Sequence, residues 1–345
     1  MRERRRWRRA AAAVVAIATC VLLAGCSSGV AQHAVPSASA SASSSDGSAP
    51  RYSPSSQTAP SQLRIEMASW RLPEALSRAS AFAVGSDIEL AGGLTARGSS
   101  TSTVSLLDPS TGRARTVAGL PIAVHDAAGA QLGSDRVIFG GGASGSDATV
   151  QRLRVGVPGA VIGSLPSPRS DLVAASIGDA TYLLGGYDGA TWSASVLKTT
   201  DGATFTTAAT LPVPVRYPAI AVTKQVIWLF GGLTAAGPTA VIQRIDTATG
   251  QARVAGRLHA PLTDAAGLLL DGQVLVCGGI ESGRASDRVE RFDPITDTVT
   301  PAGRLPTPLH DAAGVVVAGV GYLLGGEDPA VTSGVVVFSA SGTQR

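Results

Sequence analysis

Six times along this 345-residue chain a glycine pair closes a short apolar run: Gly92-Gly93, Gly140-Gly141, Gly185-Gly186, Gly231-Gly232, Gly278-Gly279 and Gly325-Gly326. The steps are 48, 45, 46, 47 and 47 residues. A second marker keeps the same step: Leu72-Pro73, Leu120-Pro121, Leu165-Pro166, Leu211-Pro212, Leu258-His259 and Leu305-Pro306 each lie 20 residues before a pair. The register inside the unit is therefore fixed, and all length variation falls between each pair and the next leucine. A unit of this length cannot bury its faces alone and needs neighbours on both sides.

The unit reads as strands. In the last copy, Asp311 to Ala318 and Gly321 to Leu324 are apolar runs divided by a glycine turn. In the copy before it the chain continues through Arg288-Val289-Glu290-Arg291-Phe292, turns at Asp293-Pro294-Ile295-Thr296-Asp297 and returns through Thr298-Val299-Thr300. Apolar and polar residues alternate there as in a half-buried hairpin. Four short strands per unit and six units predict an all-β fold, a six-bladed β-propeller of four-stranded antiparallel blades. The sixth unit supplies a third strand at Gly334 to Phe338 but no fourth, and Leu63 to Trp70 precedes the first Leu-Pro, where a fourth strand belongs. The N-terminal strand is expected to close the last blade and remove an exposed edge.

Glycine reaches positive φ and admits close backbone approach, so the pairs read as scaffold. They are not phosphate cradles: Gly-x-x-x-x-Gly-Lys-Ser/Thr does not occur, and the lysines are Lys198 and Lys224 only.

An apolar run ending in Gly-Gly, then an Asp-Pro-x-Thr-Gly-like turn, then Leu-Pro, resembles the Kelch repeat over roughly residues 63–345. The turn is well kept at Asp108-Pro109-Ser110-Thr111-Gly112 and Asp293-Pro294-Ile295-Thr296-Asp297, and partly at Asp246-Thr247-Ala248-Thr249-Gly250. Ala114, Ala252 and Val299 stand where Kelch repeats usually carry tryptophan, so the copy is divergent. Thr200 to Phe205 resembles a single sialidase-type Asp-box turn and reads as a hairpin turn.

Upstream of the repeats, six arginines precede an apolar stretch from Ala10 to Gly25, short for a membrane span and suited to an export signal. It ends in Leu23-Ala24-Gly25-Cys26, which matches the bacterial lipobox and implies lipidation of Cys26. The expected organisation is a lipoprotein signal peptide over 1–25, a lipidated cysteine with a disordered Ser/Ala/Pro-rich linker over 26–62, and the propeller over 63–345. The expected location is the outer face of the bacterial cytoplasmic membrane. A flexible linker of that length reaches about 30–36 Å. Residues 1–25 hold six arginines and one glutamate, so removing them takes the formal net charge from +3 to −2. Basicity then gives no support to nucleic-acid binding, which needs a basic face on the folded domain. Cys20 leaves with the signal and Cys26 takes the lipid, so Cys277 has no disulfide partner and reads as a small core residue.

Function is left to the loops. In eukaryotic substrate-adaptor Kelch domains the position fifteen before the glycine pair and the position just after it line the ligand-contacting mouth. By that resemblance the face here carries Ser77, His125, Ser170, Arg216, Thr263 and His310, with Tyr187 and Glu327 from the second set. Arg78, Asp126, Asp171, Tyr217, Asp264 and Asp311 follow the first set, and the aspartates are expected to hydrogen-bond backbone amides. Trp192, Glu281, Arg284 and Asp328 lie on neighbouring loops. Aromatic surface with both charge signs suits a peptide or glycan. The expectation is a non-catalytic binding module for an envelope protein, peptide or glycan, with no cofactor and no metal. His125 and His310, each beside an aspartate, do not alone make a metal site. Galactose-oxidase-like copper chemistry, which needs a tyrosine cross-linked to cysteine plus further tyrosine and histidine ligands, is not expected from one core cysteine and three histidines in the propeller. The alternative is a sugar-modifying enzyme similar to sialic-acid mutarotases, which also use a six-bladed Kelch propeller; that likeness points to Arg216 with Glu281 or Glu327.

Overall fold

The computed structural model describes residues 63–340. The expected signal sequence, Cys26 and the expected linker lie outside the described residues. Six four-stranded antiparallel sheets follow one another over 80–119, 128–164, 170–210, 219–257 and 266–304, and the sixth joins 313–340 to Leu63–Met67. The closing strand pairs in register, Leu63 with Ala340 through Met67 with Val336. It ends earlier than Trp70, whose ring leaves the sheet to cover the turn at Gly112 and donate its indole N–H to the Pro109 carbonyl at 3.0 Å.

Burial explains why the second strand of each blade was so apolar. In Gln273–Cys277 the last four residues are all buried, because this strand is covered by a blade on either side. The outermost strands face solvent on their edge: Arg113–Gly119 has four exposed residues in succession. Six apolar clusters fill the six seams between blades. The seam between the fourth and fifth blades holds Trp228, Phe230 and Phe292, with Phe292 centred 4.7 and 5.2 Å from the other two rings. These rings come from inside the blades. At the positions where the Kelch tryptophan is missing, Ala252 and Val299 are partly buried fillers.

Backbone bonds stitch the seams. The second glycine of every pair donates to a carbonyl of the following blade's loop, from Gly93 to Val124 at 2.8 Å round to Gly326 to Leu76 at 2.9 Å, so the ring closes on itself. Such bonding demands close approach. A Cβ built on Gly325 (φ +65) would meet the Leu76 carbonyl oxygen at 1.8 Å. The outer turns are Asx turns: Asp108 accepts from the Ser110 amide and Asp293 from the Ile295 amide, both at 2.8 Å. Their fifth residue is left-handed, Gly112 at φ 71 and Asp297 at φ 56, which is why aspartate can replace glycine there. The turn at Thr200 to Phe205 is built the same way, with Asp201 accepting from the amides of Ala203 and Thr204.

Candidate functional site

Two residue sets meet at the mouth in every blade. The residue fifteen before each glycine pair lies across an antiparallel bridge from the residue just after it: Ser77 with Leu94, His125 with Gly142, Ser170 with Tyr187, Arg216 with Leu233, Thr263 with Ile280 and His310 with Glu327. The following residue turns into the central channel in left-handed conformation, with φ from 53 to 60 at Arg78, Asp126, Asp171, Tyr217, Asp264 and Asp311. Aspartate tolerates this region better than most residues, which accounts for its recurrence. The amides of five of these residues then bond the carbonyl of the corresponding residue in the preceding blade: Arg78 to Asp311 and Asp311 to Asp264 at 2.9 Å, Asp264 to Tyr217 at 3.1 Å, and on through Asp171 to Asp126 at 2.9 Å.

So these residues do bind the next blade, but with their backbone. The expectation that the aspartate side chains cap amides is corrected: their carboxylates meet side chains. Arg78 Nη1 lies 3.2 Å from Asp126 Oδ2, Nη2 lies 3.4 Å from Asp311 Oδ2 and Nε lies 3.1 Å from Glu327 Oε1. Glu327 Oε1 also accepts from the Ser77 hydroxyl at 2.8 Å. On the other side, Arg216 is paired with Asp171 and donates to the Tyr217 hydroxyl at 3.0 Å. Its guanidinium carbon sits 4.5 Å from the centre of the Tyr187 ring and 4.8 Å from that of Tyr217.

Burial shapes the protonation of this ring. It lifts the Asp126 carboxyl to about 7 against the pull of Arg78, with Asp171 and Asp311 adding to the rise. Burial, then repulsion from Asp311, likewise pushes Asp264 up to about 7. Burial and nearby Arg78 lower the His125 imidazole, whereas the hydrogen bond to Asp311 raises His310. Burial also draws the Arg78 guanidinium down, but Asp311, Asp126 and Glu327 more than offset it.

The predicted face is one rim that splits into two groups. His125, Ser170, Tyr187 and Arg216 line a mouth pocket of about 410 Å³ together with Ser146, Asp126 and Tyr217. The Ser146 hydroxyl lies 3.0 Å from the Ser170 hydroxyl and donates to the Tyr187 carbonyl at 2.8 Å. Ser77, His310 and Glu327 gather instead around Arg78, and Thr263 bonds its own neighbour Asp264. Beneath them the six inward residues line a channel cavity of about 160 Å³. Trp192 supports the pocket by an edge contact with Tyr187, at 5.1 Å between ring centres. Glu281 is paired with Arg288 at 3.0 Å.

Arg78, Ser146 and Tyr217 were absent from the face expected from the sequence. Arg78 and Tyr217 had a signal, since they interrupt a position that holds aspartate in the other four units. Ser146 had none, lying in the variable stretch after a glycine pair.

The fold and its stitched seams define a class, the six-bladed β-propeller. The family described as Kelch motif matches residues 261–306. Among solved structures, "Structure of YjhT" is similar to this chain with a TM-score of 0.68 and 12% identity, covering 79% of this chain and 97% of that one. At that identity the likeness is one of fold. No curated protein sequence matches the chain significantly.

Proposed function

We propose that this chain is a non-catalytic binding module that takes an envelope glycan or a peptide in the mouth pocket, and that lipid on Cys26 holds it at the outer face of the bacterial cytoplasmic membrane. The observation that carries the reading is the packing of Arg216 between Tyr187 and Tyr217 beside the His125, Ser146 and Ser170 side chains. A planar cation braced by aromatic rings, next to small hydroxyl groups, offers a flat stacking surface with convergent hydrogen-bonding groups. About 410 Å³ is within the size range of small-ligand sites. The test is a glycan array and a peptide pull-down with the purified protein. His125→Ala should weaken capture at least tenfold with the melting temperature little changed, and Arg216→Ala, which also strips buried Asp171 of its cation, should weaken capture at least tenfold per folded molecule while lowering the melting temperature; unaltered capture by both variants would place the site elsewhere. Labelling with a palmitate analogue, compared with Cys26→Ala, tests the anchor.

A second reading, a sugar-modifying enzyme, is favoured by one observation. Asp126 and Asp264 are held at about 7, where a carboxyl can both give and take a proton near neutral pH. Those two, rather than Glu281, would carry the acid–base step. Anomer exchange followed by NMR over a sugar panel, lost in Asp126→Asn or Asp264→Asn, would support it, and silence across the panel would retire it.

A further inference from the structure

We propose that His310, Asp311 and Glu327 form a binding site for a divalent transition-metal cation of the zinc class, built into the sixth blade at the rim of the mouth. One ligand atom from each of the three residues lies within 4.8 Å of the others. The residues lie on loops pinned by backbone hydrogen bonds. His310 and Glu327 face each other across a backbone bridge, with the Glu327 amide donating to the His310 carbonyl at 2.8 Å and the reverse bond at 3.2 Å. Asp311 is fixed by its amide bond to Asp264 in the channel ring. One imidazole nitrogen and two carboxylates are a donor set that zinc accepts, with an open position for water or ligand.

The repeat supplies an internal comparison. The position opposite the fifteenth residue is Leu94, Leu233 or Ile280 in three blades, Tyr187 in another and Gly142 in the second blade. The second blade therefore has the same His-Asp step, His125-Asp126, but no third ligand. Histidine, aspartate and glutamate coincide only in the sixth blade among the described residues.

The present contacts fit a cation. His310 Nδ1 lies 2.7 Å from Asp311 Oδ2, sharing a proton. Two ligands on one metal at about 2.1 Å stand roughly 3 Å apart, so a cation can replace that proton, which is released to solvent, after small side-chain rotations. Arg78 touches one oxygen of Asp311 and one of Glu327. It does not neutralise the cluster, because Asp126, Asp311 and Glu327 share its single charge.

The test is zinc titration of the chelator-treated full chain by calorimetry, with cobalt as a spectroscopic substitute. One cation per chain is expected, with affinity weakened at least tenfold in both His310→Ala and Glu327→Gln and retained in His125→Ala. Cobalt should give visible ligand-field bands that His310→Ala weakens. Binding unaffected by both blade-six substitutions, binding lost equally in His125→Ala, or no binding at millimolar zinc would each overturn the proposal. If Glu327→Gln fails to fold, His310→Gln, judged by the same titration and by the loss of cobalt bands, decides the matter.

Discussion

The amide of Arg78 donates to the Asp311 carbonyl at 2.9 Å, so the first blade is tied to the sixth beside the channel as well as through the glycine bond from Gly326 to Leu76. The closing strand adds a third tie within the sixth blade. Ring closure in this propeller is thus distributed between backbone bonds near the axis and a strand at the rim.

The rim tie is open to a direct test. Ile65 pairs with Phe338, and its side chain lies against the apolar cluster between the fifth and sixth blades. Ile65→Asp removes apolar burial and places a charge on that surface, a loss of about 2–3 kcal/mol. The melting temperature followed by circular dichroism should fall by roughly 5–10 °C. An unchanged melt would mean that the N-terminal strand does not close the ring.

Two glycines separate backbone strain from steric demand. Gly319 has φ +77 with open space around a built Cβ, so Gly319→Ala should cost about 1 kcal/mol from conformation alone. Gly325 has a similar φ of +65, but its Cβ would strike the Leu76 carbonyl. Gly325→Ala should therefore cost several times more, roughly 3 kcal/mol or above, by forcing the first and sixth blades apart. Urea midpoints of the two variants check the ratio, and similar midpoints would contradict the close-approach account.

Arg78 is the shared counter-ion of Asp126, Asp311 and Glu327. Arg78→Met keeps the apolar stem and leaves three partly buried carboxylates without their cation. At pH 8 the expected loss is about 3 kcal/mol, the usual result of removing one partner from a buried cluster. The loss should be smaller at pH 5, where Asp126, raised to about 7, is already protonated. Thermal melts at the two pH values check the difference.

The scaffold was legible because the glycine pairs and Leu-Pro markers report backbone geometry, which repeats with the unit. Leu72, Leu120, Leu165, Leu211, Leu258 and Leu305 are all buried, as a fixed register requires. The rim was legible by position for the same reason. Its division into two groups was not, because that depends on single departures from the repeat. Arg78 replaces aspartate and draws Glu327 and Asp311 toward one side, while Arg216 stacks on tyrosines contributed by two different loops. Pairings of that kind join residues up to 249 positions apart, and no local pattern encodes them.

The acid ring makes a further prediction through Asp264, whose carboxyl accepts from the Thr263 hydroxyl and is held at about 7, against an ordinary value of 3.8, by burial and by Asp311. A carboxyl raised on folding binds its proton more tightly in the native state. Its stabilising effect is complete below about pH 4 and is lost as pH rises through 7. An asparagine side chain at this position cannot ionise, tolerates the left-handed backbone at φ 58 and can still accept from Thr263. Asp264→Asn should accordingly be more stable than the parent at pH 8, by roughly 1–2 kcal/mol after screening by Arg78 and solvent. The advantage should shrink steadily as pH falls below 7 and vanish only near pH 4. Chemical denaturation of both proteins from pH 5 to pH 8 measures the gap, and a gap that is constant with pH would show that Asp264 ionises as freely in the folded ring as in the unfolded chain.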